Sequence, residues 1–383
     1  MLKLSQRSET IAQSYIRAMS VKCHEQNGIN MAQGLCDLEV PSVVNEGAKE
    51  AMNLGKNIYT SAYGTYALRQ EIAQKQDRWH PQQTTAEHVL VSLGATGAFY
   101  CTANVLLNPG DEVVLFEPYY GYHVSTLESL GCKVTFVRTT PPEYAIDFSA
   151  LEAAITPNTR AILICNPSNP SGKVYTKEEL AQIGQIVEKY DLTLFSDEMY
   201  EHFVYEGTAF VSARSIETLR ERCVVISGFS KIYSITGWRL GYAIAPQYVI
   251  DAASHINDLV YVCAPAPLQY GVLKGLQTLP KAYYEEAATS HQKKRDTFIK
   301  VLNEVGFKAE YVKGAYYVLA DISGVEGKDD LEKSMNLLEK TGIASVPARA
   351  FYRDASGLNL ARFCFSKQEE ELEEACRRLR TLL

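Results

Sequence analysis

Long apolar runs are missing from this chain: no window approaches the ~18 uninterrupted apolar residues of a membrane-spanning helix, so a membrane protein is not expected. The opening stretch, Met1-Leu-Lys-Leu-Ser-Gln-Arg-Ser-Glu9, lacks the apolar core of a secretory signal, and a cytoplasmic location is expected. Basic runs are also absent. The formal net charge is −7 and the charges are interspersed, which argues against a nucleic-acid groove or an anionic membrane face and leaves small molecules as the expected partners. Nine cysteines, at 23, 36, 101, 132, 165, 223, 263, 364 and 376, form no C-x-x-C pair, so neither a zinc knuckle nor a disulfide framework is indicated. The seven histidines form no H-E-x-x-H pair, and no metal site is expected. His123 and His202 are read as packing residues. Internal repeats, low-complexity tracts and Gly/Ser linkers are lacking, which predicts closely packed units.

What is present is enough for a large core: 383 residues, 46% apolar and 22% charged, amount to about two or three domain-sized units. Short β-rich runs at 89–93, 112–116, 133–137, 161–165, 192–195, 224–226 and 240–243 alternate with amphipathic stretches. That alternation predicts an α/β architecture around a mostly parallel sheet. Thr176-Lys-Glu-Glu179 has the form of a capping box, and Leu180, Ile183, Ile186 and Val187 follow at helical spacing. A helix is expected at 11–23, and the Gly/Pro-punctuated segment Asn30 to Pro41 reads as a loop. After about residue 285 the pattern changes to helix (291–305), strands (309–312 and 316–320), helix (331–341), strand (362–365) and a charged terminal helix. The predicted division is a large domain over 46–285 and a small α+β domain from 1–45 and 286–383.

In such a sheet, ligands sit beyond the carboxyl ends of the strands, so the loops after those runs are read together. Lys231 lies in Ser227-Gly-Phe-Ser-Lys231 after an apolar run, with Arg239 eight residues on. A lysine nucleophile needs a lowered pKa and a carbonyl partner, and an arginine beside glycines suits a partner that also carries phosphate. Pyridoxal phosphate (PLP) has both groups. Gly94-Ala-Thr-Gly-Ala98 opens a helix after a strand, offering free N–H groups and a positive dipole end to an anion, with the Thr96 hydroxyl beside them. Asn166-Pro-Ser-Asn-Pro-Ser-Gly172 is stiffened by two prolines and presents Asn169 as a donor to a ring oxygen. Ser196-Asp-Glu-Met-Tyr200 places Asp197 at the mouth of the sheet, where a carboxylate needs a partner such as a pyridinium nitrogen. Each segment alone has a bland reading as solvated surface, a tight turn or core; together they match the groups that PLP requires.

On these residues the chain resembles a class I/II aminotransferase of PLP fold type I over essentially its whole length, nearest in pattern to the kynurenine, glutamine and methionine transaminase branch. The resemblance implies an L-α-amino acid to 2-oxo acid transaminase working through a Lys231 aldimine and pyridoxamine phosphate. Lys231 would move the proton between Cα and the cofactor, and Asp197 would hold the ring nitrogen protonated. Tyr200 and Asn169 would bond the ring's phenolic oxygen, and Tyr120, in Glu117-Pro-Tyr-Tyr-Gly121, would stack on the ring. Arg239, Ser230 and the Ala95-Thr96 amides would bind the phosphate, and Tyr59 would reach the phosphate of a neighbouring subunit, implying a homodimer with shared sites. Arg362, in Ala361-Arg-Phe-Cys-Phe-Ser366, would grip the α-carboxylate, with Gly34 and Asn169 beside it.

Three departures stand out. Gly228 replaces a family serine that contacts the phosphate, with Ser230 or Ser227 as substitutes. Cys36 and Glu39 change the loop Gly34-Leu-Cys-Asp-Leu-Glu39, and Arg349 stands among small residues. Glu39 and Arg349 are read either as selectors of a polar side chain or as a solvated rim. The rival reactions are β- or γ-elimination, cyclisation or oxidation of an amino acid on the same scaffold. A non-catalytic effector-binding module is the rival of a different class, and the intact Lys231, Asp197 and Arg362 speak against it.

Overall fold

The computed structural model describes every residue except 1, 6, 7, 9, 10, 12, 37, 81 and 82. The first helix, α1 (Tyr15–Glu25), begins four residues later than predicted, and its predicted Ala12 lies outside the described residues. Next come β1 (Ile29–Asn30), α2 (Ser42–Asn53) and α3 (Tyr66–Trp79). The central unit then alternates: β2 (Val89–Leu93), α4 (Gly94–Leu106), β3 (Glu112–Glu117), α5 (Gly121–Ser129), β4 (Lys133–Arg138), α6 (Phe148–Ala153), β5 (Thr159–Cys165), α7 (Lys177–Lys189), β6 (Thr193–Asp197), β7 (Cys223–Gly228) and β8 (Leu240–Ile244). All seven predicted β runs are strands of one sheet, in the order β2-β8-β7-β6-β5-β3-β4, in which only β8 runs antiparallel to its neighbours.

These strands read as unbroken apolar runs because both faces are covered. Successive residues enter opposite cores: Val114, Phe116, Ile162, Ile164 and Val225 on one side, and Val113, Leu115, Ala161, Leu163 and Val224 on the other. The predicted capping box closes α7: Thr176 Oγ1 accepts from the Glu179 amide at 3.1 Å, and the Glu179 carboxylate accepts from the Thr176 amide at 2.9 Å. Its buried face is Leu180, Ile183, Ile186 and Val187.

The chain continues through α8 (Gln247–Tyr261), α9 (Ala266–Thr278) and α10 (Lys281–Glu304), the last starting ten residues before the predicted 291. Then follow β9 (Lys308–Ala309), β10 (Tyr317–Asp321), α11 (Asp330–Thr341), β11 (Ile343–Ala344), β12 (Val346–Pro347), β13 (Leu360–Cys364) and α12 (Glu369–Leu379). An antiparallel sheet runs β12-β13-β10-β9, and β1 pairs in parallel with β11, joining residues 29–30 to 343–344. The predicted strand at 309–312 shrinks to its first residue. The carbonyl of Val312 is taken by the buried Arg295 guanidinium at 2.7 Å and is not available to a sheet ladder. Among the described residues no helix is long and apolar enough to cross a membrane.

Candidate active site

The carboxyl ends of β2, β5, β6 and β7 open on one edge of the sheet, where a cavity of about 440 Å³ is enclosed between this edge, α1, the loop after β1, and β10 and β13. Eleven residues singled out in the sequence line it: Lys231, Asp197, Tyr200, Asn169, Tyr120, Ala95, Thr96, Ser230, Arg239, Arg362 and Gly34. Tyr59 does not line this chain's cavity and is 79% exposed.

At one end, the N-terminus of α4 and Arg239 meet because glycines let them. Gly94 has φ +74°, and a Cβ there would stand 2.5 Å from the Arg239 guanidinium; a Cβ on Gly241 would stand 2.2 Å from the Ala95 nitrogen. Arg239 itself adopts φ +55° and donates to the Thr236 carbonyl at 3.0 Å, which aims the side chain back along the cavity wall. Free N–H groups, a helix dipole and a guanidinium together suit an anion. Ser230 lines this cavity, whereas Ser227 is fully buried and donates to the Glu198 carbonyl and the Glu201 carboxylate, both at 3.2 Å. Of the two serines named as substitutes at Gly228, only Ser230 lines the cavity.

In the middle of the cavity, Lys231 Nζ donates to the Gly34 carbonyl at 2.8 Å. Burial of this amine, with the Arg362 and Arg239 charges adding to it, holds its pKa below the ordinary lysine value. Asp197 Oδ2 lies 2.9 Å from His123 Nε2, and Oδ1 accepts from the Met199 amide at 3.1 Å. His123, read from the sequence as a packing residue, both packs and bonds: its ring is edge-on to Phe99 and Tyr120 while its nitrogen meets the carboxylate. His202 packs on Trp79 and Tyr284, and burial lowers its pKa to about 3.

At the far end, Arg362 is 1% exposed and sandwiched between the rings of Tyr317 and Phe351, 4.4 and 5.0 Å from its guanidinium carbon. It donates to Asn169 Oδ1 at 2.9 Å and to the Ala32 carbonyl, while its Nε has no partner among the described residues. A buried guanidinium with an unmet donor is built for a ligand oxygen. Tyr317 is the residue that sequence reasoning missed. Its hydroxyl bonds that of Tyr200 at 2.9 Å, its ring carries Arg362, and a Cβ on Gly34 would stand 1.8 Å from its oxygen. Gly34 is therefore required by the approach of Tyr317. Burial pushes the pKa of Tyr200, and of Tyr120, well above the usual phenol value.

Neither Glu39 nor Arg349 reaches the cavity. Glu39 is exposed, and Arg349 is held by Asp330, with Nε to Oδ1 at 2.9 Å, and by Asp329 at 3.0 Å. Cys36 is buried beside the loop, its carbonyl accepting from Ser234; Asp37 of the same loop lies outside the described residues.

A helix-covered, mostly parallel sheet with a partly buried lysine, a carboxylate and a glycine-rich helix N-terminus at its carboxyl edge is the arrangement of the fold type I aminotransferases. The family Aminotransferase class I and II matches residues 26–379, and the chain belongs to it. It is similar to the methionine aminotransferase of Escherichia coli K12, 31% identical over 99% of this chain and 97% of the relative. Its structure resembles that of the N-succinyldiaminopimelate aminotransferase of Mycobacterium tuberculosis, with a TM-score of 0.95 at 31% identity, and that of the aspartate aminotransferase of Thermus thermophilus with maleate, with a TM-score of 0.94 at 31% identity; both matches cover 100% of each chain. The protein is an aminotransferase that uses pyridoxal 5′-phosphate.

Proposed function

We propose that the eleven cavity residues carry this amino-group transfer, from an L-α-amino acid to a 2-oxo acid, with the roles that the sequence implied. When bound, PLP supplies an aldehyde and an electron-withdrawing ring. The residues fit that group. The lowered pKa of Lys231 suits both attachment and proton exchange: the amine takes the proton from the substrate Cα and returns it on the other side of the reaction. The Asp197 carboxylate, oriented by His123 and the Met199 amide, would face the ring nitrogen and hold it protonated. Tyr200 would bond the ring's phenolic oxygen, with Asn169 beside it, and Tyr120 would cover the ring face. Ala95, Thr96, Ser230 and Arg239 would hold the phosphate. Arg362, with its unmet Nε, would clamp the substrate α-carboxylate beside Gly34 and fix which Cα bond faces Lys231.

The observation that carries the reading is the meeting of these residues, from seven separate segments of sequence, around one cavity. Its test is the absorption spectrum of the PLP-loaded protein. One class of amino acid should bleach the visible band, a 2-oxo acid should restore it, and Lys231→Ala should do neither. A stable visible intermediate, or ammonia released without an oxo acid, would assign elimination, cyclisation or oxidation instead.

The same reading includes a homodimer, supported by the apolar surface of Leu54, Ile58, Tyr59 and Leu259, which are 68%, 79%, 79% and 80% exposed. Tyr59 would there serve the partner's phosphate. We also divide the chain into a large domain, 46–285, and a small one from both ends, a division supported by the β1 to β11 pairing. A cytoplasmic location accords with the burial of seven of the nine cysteines as small apolar side chains.

A further inference from the structure

A tyrosine hydroxyl has one proton to give and lone pairs to accept with. In the transfer proposed above, Tyr200 gives its proton to the phenolic oxygen of the cofactor ring. Its 2.9 Å bond to the Tyr317 hydroxyl then has a fixed direction: Tyr317 donates and the Tyr200 oxygen accepts. Among the described residues the Tyr200 hydroxyl makes no other hydrogen bond. Tyr317 is held to this task from three sides. Its side chain is almost wholly buried, and burial keeps the hydroxyl protonated, with a pKa well above the usual phenol value. The loop backbone at Gly34 presses so closely on its oxygen that no side chain fits between them. The Tyr200 and Tyr317 rings stand edge-on at 87°, with centroids 5.6 Å apart, so the two hydroxyls meet without the rings stacking. On the face of Tyr317 lies the Arg362 guanidinium at 4.4 Å, a cation that draws density from the ring and makes its hydroxyl a stronger donor.

We propose that Tyr317 is a positioning residue of this site: its hydroxyl donates to Tyr200, turns the Tyr200 proton toward the ring oxygen, and so sets the pH at which the visible band of the PLP-loaded protein titrates. The assignment rests on the transaminase reading above. Two hydroxyl donors in series polarise each other, so the bond from Tyr317 strengthens the bond that Tyr200 makes. A donor to the ring oxygen favours its anionic form and works against a proton shared between that oxygen and the Lys231 nitrogen. The pair of tyrosines therefore holds the midpoint down. The opposite arrangement has the opposite sign. With Tyr200 donating to Tyr317, the ring oxygen would lack the Tyr200 proton, and removing the Tyr317 hydroxyl would release it and lower the midpoint.

The test is a spectrophotometric pH titration of the PLP-loaded protein without substrate, so that nothing depends on turnover. Tyr317→Phe keeps the ring under Arg362 and removes only the oxygen. It should raise the midpoint by roughly 0.3–0.6 pH unit, the part of the Tyr200 bond that polarisation supplies. Tyr200→Phe, which removes the bond to a charged oxygen outright, should raise it by about 1–2 units. In a Tyr200→Phe background, Tyr317→Phe should add less than about 0.1 unit, because a residue that acts through Tyr200 has nothing left to act on. Tyr284→Phe breaks another buried tyrosine pair, with Tyr233 at 2.7 Å and away from the cavity, and should leave the midpoint in place. An unmoved or lowered midpoint in Tyr317→Phe, a shift that persists in the Tyr200→Phe background, or an equal shift in Tyr284→Phe overturns the assignment. A wild type without a visible band that Lys231→Ala removes defeats the transaminase reading and the assignment with it. A band that titrates normally and ignores position 317 defeats the assignment alone.

Discussion

Replacing Lys75 by methionine should destabilise the protein far more than a surface charge loss does, and the structure says how. Lys75 on α3 and Glu201 just after Tyr200 are 5% and 3% exposed at the side chain, with 2.5 Å between Nζ and Oε1. The pair ties two further elements together. Lys75 also donates to the Tyr242 hydroxyl on β8 at 3.1 Å, and Glu201 Oε1 accepts from Ser227 on β7 at 3.2 Å. The second oxygen of Glu201 has no partner among the described residues. Burial alone would raise the glutamate pKa, but Lys75 outweighs it and the pKa falls from 4.5 to about 2. That shift corresponds to about 3 kcal/mol of folded-state preference for the carboxylate. Because the folded pKa is the lower one, this stability is fully present above the unfolded pKa of about 4.3 and is lost as pH falls from there through about 2.

Lys75→Met keeps the volume and removes the charge, leaving a buried carboxylate with only hydroxyl partners. The expected loss at pH 7 is about 3–5 kcal/mol, or a fall of roughly 4–6 °C in Tm for a chain of this size. Lys75→Met/Glu201→Gln should recover most of it, since the pair's attraction is largely offset by its own desolvation. Thermal unfolding of the two variants and the wild type at pH 7 decides the matter. A single variant within about 1 kcal/mol of wild type, or a double variant no better than the single, would refute the reasoning.

Arg362→Lys should raise KM for the amino donor about 10–100-fold with a smaller effect on kcat, because an ammonium cannot replace the fork that holds Asn169 and the Ala32 carbonyl and still offer Nε to a carboxylate; steady-state kinetics reads this directly. Glu198 is fully buried, and burial raises its pKa from 4.5 to about 8. Its folded state favours the protonated acid, so wild-type stability should fall as pH rises from about 4.5 to about 8, and Glu198→Gln should remove that part of the slope in unfolding curves at pH 6 and 9. Gly228→Ser, which restores the common family residue, should weaken PLP affinity measured on the apo-protein, because a Cβ at 228 would lie 3.0 Å from backbone atoms of both Gly241 and Leu240.

The legible part of this chain was the part where one residue type has one physical reason. Two-sided burial makes the seven strands read as apolar runs, and a capping box announces α7 by its own two hydrogen bonds. The same holds for Lys231, Asp197 and Arg362, each a charged group that a sheet edge tolerates only with a ligand or a fixed partner. What stayed hidden needed a neighbour from far along the sequence. Tyr317 is one tyrosine among 24 until it is seen under Arg362 and against Tyr200, and Lys75 sits in a helix whose pattern gives no sign of the glutamate 126 positions away. The two-residue strands β1 and β11 are shorter than any periodicity can register.

Gly228 shows how a departure from a family pattern becomes intelligible only in three dimensions. In sequence it is a lost phosphate contact. In the sheet it faces Gly241 across the β7 to β8 pair, and Gly241 in turn backs onto the first turn of α4, where a Cβ would fall 2.2 Å from the Ala95 nitrogen. The two glycines therefore set the distance between β7, β8 and the helix end that, with Arg239, is proposed to hold the phosphate. A side chain at 228 would act on all three, since strand backbones cannot part there without breaking their ladder. The absent hydroxyl is thus coupled to the closeness of the helix end and Arg239, which is why adding it back to this chain should cost cofactor affinity.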